Sequence, residues 1–120
     1  MSSLSRRRRL EIEDIGEVTT VSFTDREILD EQQVQAMGEK LFSLAEELGR
    51  KKLLLNFRNV KYMSSAALGK LITLRRKVQT AGGQLVLCGI DPQIHEVFTI
   101  TQLDKQFVIR CDEQEALEAF

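Results

Sequence analysis

Two adjacent serines, Ser64 and Ser65, are the residues of this sequence best placed to do chemistry. They follow the apolar stretch Leu53–Phe57 and precede a segment with helical periodicity. A serine at a helix start accepts a hydrogen bond from a backbone N–H, and the helix start also favours an added negative charge. A phosphate on Ser65 would therefore change the sign of the surface while the helix stayed folded. The alternative is that the two serines only cap the helix, which is a common role.

A strand, a loop and a helix are predicted to position these serines. The nearly continuous hydrophobic run Leu53–Phe57 indicates a strand covered on both faces, as in a parallel sheet. Residues 58–63 form the predicted loop. Apolar residues at spacings of three and four predict a helix over residues 65–80, which Gly82 and Gly83 end. This order brings the serines to the carboxyl end of a strand, where α/β proteins usually bind ligands.

The rest of the sequence predicts more strands and helices around this unit. Alternating apolar and acidic residues over Leu10–Ile15 indicate a half-buried strand, and Glu17–Phe23 is its hairpin partner after a turn at Gly16. Residues 24–30 are interpreted as a polar connection. The other predicted elements are a helix over 34–48 with Gly49 as its C-cap, a strand over 84–90, a helix from Asp91-Pro92 to about Thr99, a strand over 106–111 and a C-terminal helix.

The order ββαβαβαβα predicts an α/β fold with a mixed sheet. The hairpin supplies an antiparallel pair, and the strand-helix-strand unit from Leu53 to Ile90 predicts a right-handed crossover with parallel pairing. The length of 120 residues is typical of one domain with a substantial core, which we assign to residues 9–120. Residues 1–8, which include most of the run Arg6–Arg9, are interpreted as a flexible, solvated tail.

Composition and charge limit the classes of partner. A hydrophobic fraction of 42% and a formal net charge of −1 are typical of a soluble globular chain without a global attraction to nucleic acid or anionic lipid. No apolar run approaches the roughly 18 residues that a membrane span needs. We therefore expect a cytoplasmic protein with no nucleic-acid partner and no membrane partner.

The sequence lacks the motifs of common enzymes and metal sites. G-x-S-x-G, the Walker A motif and G-x-G-x-x-G do not occur, and His95 is the only histidine. It lies on a predicted helix and is interpreted as a surface or partly buried residue. Cys88 and Cys111 lie in apolar, strand-like segments and are interpreted as reduced core thiols. We expect no enzymatic activity, no cofactor and no metal.

Residues Tyr62–Gly69 resemble the signature of STAS domains, in particular that of bacterial anti-sigma-factor antagonists. The family pattern is an aromatic residue, Met, Asp, Ser, Ser or Thr, Gly, Leu and Gly, and this sequence has YMSSAALG. The order of elements also agrees over about residues 8–120, including GGQLVLCGI, the Asp-Pro-Gln-Ile helix with Val97-Phe98, and the Glu-rich C-terminus. The resemblance implies a STAS-like mixed sheet of about five strands, with helices packed mainly on one face.

The resemblance also implies a function in partner switching. In that family, the serine after the motif's Asp accepts phosphate from a partner that is both anti-sigma factor and kinase, and this serine aligns with Ser65. Unphosphorylated protein would bind this serine kinase, a histidine-kinase-like ATPase, and release sigma factor. Phosphorylation would end binding, and a PP2C-type phosphatase would reset the cycle. The residues expected to contact the partner are Asp25, Arg58, Asn59, Lys61, Tyr62, Met63, Ser64, Ala66 and Leu68.

The sequence departs from the family pattern next to the proposed phosphoacceptor. Ser64 stands where the family has Asp, which makes Ser64 a competing phosphoacceptor. Ala66 and Ala67 replace the Ser or Thr and the Gly, and Asn56 stands where the family often has Asp. The change from Asp to Ser at position 64 favours a second interpretation. In it the protein is a STAS scaffold or ligand-binding subunit, without phosphorylation, in a larger signalling or transport assembly.

Overall fold

The computed structural model describes residues 10–46 and 51–120, so the predictions for the N-terminal tail, for Leu48 and for Gly49 lie outside the described residues. The strands are β1 (Leu10–Ile15), β2 (Val18–Phe23), β3 (Glu27–Ile28), β4 (Lys52–Asn56), β5 (Tyr62–Met63), β6 (Gln84–Cys88) and β7 (Val108–Arg110). The helices are α1 (Glu31–Glu46), α2 (Ser65–Thr80), α3 (Pro92–Ile100) and α4 (Glu113–Leu117), with a 3₁₀ turn at Leu103–Lys105.

Five of the strands form the mixed sheet that the sequence predicts. Their order is β1-β2-β4-β6-β7. β1 pairs antiparallel with β2, and all other neighbours in this sheet pair parallel. Gly16 makes the tight hairpin possible, because its φ of +63° is a conformation that side chains with a Cβ rarely adopt. The α/β class and the pairing of β4 with β6 are thus confirmed.

The sheet is covered on both faces, which explains the apolar run in β4. Leu53 and Leu55 belong to the large core cluster that also contains buried residues of α1, α2 and α3. Leu54 points to the opposite face, where it shares a smaller cluster with Cys88 and with Ala116 of α4. Successive strand residues face opposite sides, so a strand between two helical layers needs apolar residues at every position. Three of the four helices lie on one face, as expected.

The connection predicted over residues 24–30 contains a short strand, and this prediction was wrong. β3 pairs parallel with β5, with Glu27 opposite Tyr62 and Ile28 opposite Met63. The predicted loop over residues 58–63 contains that partner strand. Ile28 is buried, so this small second sheet is fixed to the core. Two residues are too few to produce the alternation by which a strand is recognised in a sequence.

Three further expectations differ from the structure at the ends of the large sheet. β1 is exposed rather than half-buried, with Ile12 38% accessible, because β1 is an edge strand. The last strand is shorter than predicted, since Phe107 turns inward and packs on Phe98 at a centroid distance of 5.7 Å. Cys111 is exposed, because it follows the end of β7, so it is not a core thiol. Cys88 is buried as predicted.

Three helices begin at one edge of the large sheet. α3 follows the carboxyl end of β6, α4 follows that of β7, and α2 follows β4 by way of β5. β4, β6 and β7 run parallel, so their carboxyl ends meet at the same edge. The starts of α2 and α3 therefore come together on one face, and the start of α4 lies across the sheet on the other.

Candidate functional site

Ser64 is the N-cap of α2. It has an extended backbone, with φ −76° and ψ 164°, and the Ala67 N–H donates to its Oγ at 3.1 Å. The Ser64 N–H in turn donates to the carbonyl oxygen of Ile28 at 3.0 Å. Both bonds hold this half-buried residue in place. The capping role that the sequence left open between two serines therefore belongs to Ser64.

Ser65 is the first residue of α2, and it is exposed. Ala66 beside it is also exposed, whereas Ala67 is fully buried in the core. One turn further along, a Cβ built on Gly69 would meet no atom within 4 Å. The outer side of the first turn is therefore open to an approaching protein, and the methyl group of Ala67 points away from it.

The first turn of α2 carries no acidic residue. The positive end of its helix dipole is therefore not offset by a carboxylate of the same turn. The cap uses one of the four N–H groups that lack a partner within the helix at its start. A negatively charged group on Ser65 would lie where the helix favours it.

A groove of about 520 Å³ runs beside Ser65, between the start of α2 and α3. It brings together six residues that the sequence analysis selected: Lys61, Tyr62, Met63, Ser64, Ser65 and Leu68. The other lining residues belong to α3 or directly follow α3 or β3: Gln93, Ile94, Val97, Phe98, Thr101 and Leu29.

The rim of the groove is apolar and exposed. Leu29, Tyr62 and Val97 are 51%, 45% and 44% accessible. Ile100 lies three positions after Val97, on the same side of α3, and is 74% accessible. Adjacent exposed apolar side chains of this kind are typical of protein–protein contact surfaces, where aromatic residues are enriched. The arrangement can bind a protein surface and place it directly over Ser65.

Four of the selected residues lie outside the lining of the groove. Arg58 is exposed in the connection between β4 and β5, and Ala66 is exposed next to Ser65. Asn59 is exposed, and its Nδ2 donates to the carbonyl oxygen of Phe23 at 3.3 Å. Asp25 lines a different pocket, between β2 and α1. There its carboxylate accepts a hydrogen bond from the side chain of Gln33 at 2.7 Å.

The contribution of α3 was missed by the sequence analysis. This helix has nine residues and carries Ile94, Val97, Phe98 and Ile100. Ile94 and Phe98 are buried, and the other two are exposed. A surface helix normally presents one apolar stripe. Val97 and Ile100 make the apolar stripe of this short helix wider than Ile94 and Phe98 alone would, and this width was a signal that part of the stripe contacts something other than the core.

Other chemical groups do not form a second site in the residues that the structure describes. Within 10–46 and 51–120, no cluster of three or more His, Cys, Asp or Glu side chains is arranged to hold a metal ion. His95 is exposed. Burial, and to a smaller degree Glu113 and Asp112, raise the pKa of the Cys88 thiol to about 12, so Cys88 is no nucleophile. No helix among the described residues has the length and apolar character needed to cross a membrane.

Comparison with known proteins identifies the family to which the chain is similar. The family model described as the STAS domain matches residues 9–116. BtrV of Bordetella bronchiseptica, a proposed anti-sigma factor antagonist, is 29% identical over 72 residues. That match covers 60% of this chain and 62% of BtrV, less than two thirds of the relative's length.

Solved structures agree with this fold. A proposed anti-sigma factor antagonist from Thermotoga maritima superposes with a TM-score of 0.82 at 20% identity, covering 93% of this chain and 94% of that one. The anti-sigma factor antagonist SpoIIAA in its unphosphorylated form gives 0.69 at 18% identity, covering 88% and 91%. The phosphorylated form of the Bacillus protein SpoIIAA gives 0.70 at 21% identity, covering 92% and 97%. At these identities the likeness shows the fold alone.

Proposed function

This chain belongs to the STAS domain family, and we propose that it is an anti-sigma-factor antagonist whose binding is switched by phosphorylation of Ser65. The observation that carries the proposal is an exposed serine at the first position of a helix, beside an apolar groove. The unphosphorylated protein binds an anti-sigma factor that is also a serine kinase. It acts as a regulatory interaction module and not as an enzyme.

The structure of the helix start supports Ser65, and not Ser64, as the phosphoacceptor. The hydroxyl of Ser64 already accepts the Ala67 N–H, and its backbone is held by Ile28. A kinase would have to break the cap to reach it. Ser65 is exposed, and its modification leaves the cap in place. A phosphate of about −1.5 to −2 charges there is favoured by the helix dipole, so the modified protein stays folded.

The groove supports a mechanism by which this modification ends binding. A partner that covers Leu29, Tyr62 and Val97 removes water from the neighbouring Ser65. A free hydroxyl tolerates this, whereas a phosphate of about −1.5 to −2 charges that loses its water at an interface is strongly disfavoured. Lys61 lines the same groove, and Ala66 is exposed next to Ser65. A partner that extends along the connection after β4 would also contact Arg58 and Asn59, which are exposed.

The resemblance to anti-sigma-factor antagonists supports the rest of the proposed cycle. The structurally similar antagonist SpoIIAA has been solved in an unphosphorylated and in a phosphorylated form, which supports phosphorylation as the modification. A PP2C-type phosphatase would return the protein to its binding form. We expect this to occur in the cytoplasm, where sigma factors act on RNA polymerase, with residues 9–120 working as one STAS domain. Asp25 lies in its own pocket and would contact only a partner that extends past β3.

Intact mass spectrometry tests the proposal. The protein is incubated with ATP and each histidine-kinase-like ATPase encoded in the same genome. We expect a gain of about 80 Da, one phosphate. Ser65→Ala abolishes this gain, and the matched variant Ser64→Ala retains it. A gain that survives Ser65→Ala and is lost in Ser64→Ala would move the switch to the capping residue, and no gain with any of these kinases would contradict the proposal.

Ser64 itself favours a second candidate function. The family's Asp before the phosphoacceptor is absent, and the serine in its place is used as a cap. A STAS scaffold or ligand-binding subunit without phosphorylation would keep the groove as a permanent contact surface. In that case Ser65→Ala and the unmodified protein bind the same partner equally, whatever the supply of ATP.

A further inference from the structure

An ion pair at the end of the groove connects β5 to α3. Lys61 precedes β5, and its Nζ lies 3.4 Å from Oδ2 of Asp91, the N-cap of α3. The side chain of Lys61 is 46% exposed and that of Asp91 16%. Among the described residues that line the groove next to Ser65, Lys61 is the only one with a positive charge. The groove therefore has one cation available to a phosphate.

The two carboxylate oxygens of Asp91 have different partners. Oδ1 accepts the N–H of Gln93 at 3.0 Å and so caps α3, while Oδ2 faces Lys61. The cap does not need the lysine. Losing the ion pair would leave α3 capped but no longer attached to β5 through this contact.

The side chain of Lys61 can change partner while its backbone stays fixed. The Lys61 N–H donates to the carbonyl oxygen of Arg26 at 2.7 Å, and the next residue, Tyr62, is paired with Glu27 of β3. The ammonium group sits on a flexible chain of four carbons and has three donor hydrogens. Partly exposed ion pairs such as this one are weak, so its exchange for another pair costs little.

We propose that Lys61 senses the modification state of Ser65, pairing with Asp91 when the hydroxyl is free and with the phosphate when Ser65 is modified. This inference rests on the proposed function, because it requires a phosphate on Ser65. The phosphate carries up to twice the charge of a carboxylate and has three acceptor oxygens, so it competes well for the single cation of the groove. The exchange releases the contact between β5 and α3.

Losing the ion pair affects binding because α3 carries two of the four exposed apolar side chains described at the groove. Val97 and Ile100 are exposed on this helix, and Tyr62 is exposed on β5. Lys61 joins the two parts in the unmodified protein. Phosphorylation therefore acts on binding twice: it adds charge at the rim, and it removes one contact between the two apolar sides of the groove.

Phosphoserine placed at position 65 by nonsense suppression tests this without a kinase. Phosphorus NMR then follows the titration of the phosphate in four proteins: the parent, Lys61→Gln, Lys61→Arg and Lys52→Gln. Lys52 is a matched control, since it forms a partly exposed ion pair with Glu17 at the other end of β4. We expect Lys61→Gln to raise the phosphate titration midpoint by about 0.3–0.7 pH units, Lys52→Gln by less than about 0.1, and Lys61→Arg to behave as the parent.

Amide chemical shifts of α3 give a second measurement. Phosphorylation should shift the N–H signals of Gln93 and its neighbours in the parent protein, and Lys61→Gln should abolish most of that shift. Equal midpoints in Lys61→Gln and Lys52→Gln, or shifts in α3 that do not depend on Lys61, would overturn the inference. A protein that no kinase modifies contradicts the proposed function instead, because the phosphoserine here is introduced genetically.

Discussion

Helices α2 and α4 begin at the same edge of the sheet on opposite faces, and their starts differ in charge. Each N-cap side chain accepts the N–H three residues on: Ser64 from Ala67 at 3.1 Å, and Asp112 from Glu115 at 2.9 Å. The first turn of α4 also contains Glu113. The first turn of α2 contains no acid. One helix dipole is thus offset by carboxylates of the chain itself, and the other is left for an added charge.

The surroundings of the two helix starts also differ in charge and exposure. Glu113 accepts a hydrogen bond from the side chain of Asn56 at 3.2 Å, and the acids of α4 lie close enough to Cys88 to raise its pKa. Ser65 is exposed beside an apolar groove. The same cap geometry therefore occurs at a helix start that contacts the rest of the protein, in α4, and at a helix start that is open to solvent, in α2. A helix start can therefore accept an added negative charge more readily where its first turn is exposed and carries no acid.

The largest effect we expect is on partner binding. Ser65→Glu should weaken binding to the proposed partner, an anti-sigma-factor kinase, about 100-fold, because a charge that loses its water at an interface costs several kcal/mol. Gln114→Glu adds the same charge to the exposed second residue of α4 and should change affinity less than about twofold. Isothermal titration calorimetry with the kinase measures both. Equal losses in the two variants would mean that total charge, and not position, controls binding.

The next effect concerns the caps and the free energy of unfolding. Ser64→Ala should cost about 1 kcal/mol, since the Ala67 N–H loses its acceptor. Asp112→Ala should cost about 1–2 kcal/mol, since it removes an acceptor and also a charge that offsets the dipole. Urea denaturation measures both, and Asp112→Asn, which keeps an acceptor, isolates the charge. A larger loss for Ser64→Ala than for Asp112→Ala would remove the electrostatic part of the comparison.

The sequence predicts the frame of this site well. The apolar run at Leu53–Phe57 and the periodicity of residues 65–80 place a helix start at the end of a buried strand, and both elements are present. Which of the two serines caps the helix does not follow from the sequence, since Ser64 and Ser65 have the same side chain and a shift of one residue exchanges their roles. That choice depends on the backbone before α2, which β3 fixes through Ile28.

The parts of the groove formed by β3, β5 and α3 could not be predicted from the sequence, because they depend on tertiary structure. Ile28 and Met63 pair in strands of two residues each, which leave no periodic signal. Val97 and Ile100 are exposed although apolar residues are expected inside. Their exposure follows from how α3 lies on the sheet, where Ile94 and Phe98 already fill the core side. Local sequence patterns predict which residues form a helix or a strand. They do not predict the angle at which a short helix packs on the sheet.

A smaller effect tests whether the two helix starts respond oppositely to an acid. Ser65→Asp should raise the free energy of unfolding by about 0.3–1 kcal/mol at low salt, because the first turn of α2 has no carboxylate. Gln114→Glu should lower it by about 0.2–0.5 kcal/mol, because the new charge lies four residues before Glu118, where like charges repel. Both changes should shrink in 1 M salt, where the screening length is about 3 Å. A loss of folded structure in Ser65→Asp would show that Ser65 has a structural role.

The smallest effect concerns Cys88, which lies under α4. Burial first, and then Glu113 and Asp112, raise the pKa of this thiol from 9.0 to about 12. The folded state therefore binds a proton that the unfolded chain releases at a lower pH. Its contribution to stability is fully present below about pH 9 and is lost as the pH rises toward 12. Stability should accordingly fall through this alkaline range.

Glu113→Gln separates the acids of α4 from burial as causes of this shift. The variant keeps an oxygen that accepts from Asn56 and removes the charge, so the pKa of Cys88 should fall by a few tenths of a unit while burial holds it well above 9. In a Cys111→Ser background, the carbon-13 NMR shift of the cysteine Cβ as a function of pH reports the ionisation of Cys88 alone, and it does not require a reagent to reach the buried thiol. Glu115→Gln is the matched control, because Glu115 is not among the causes of the shift. Identical profiles for the two variants would mean that burial alone sets the pKa, and that the charge difference between the two helix starts does not extend into the core.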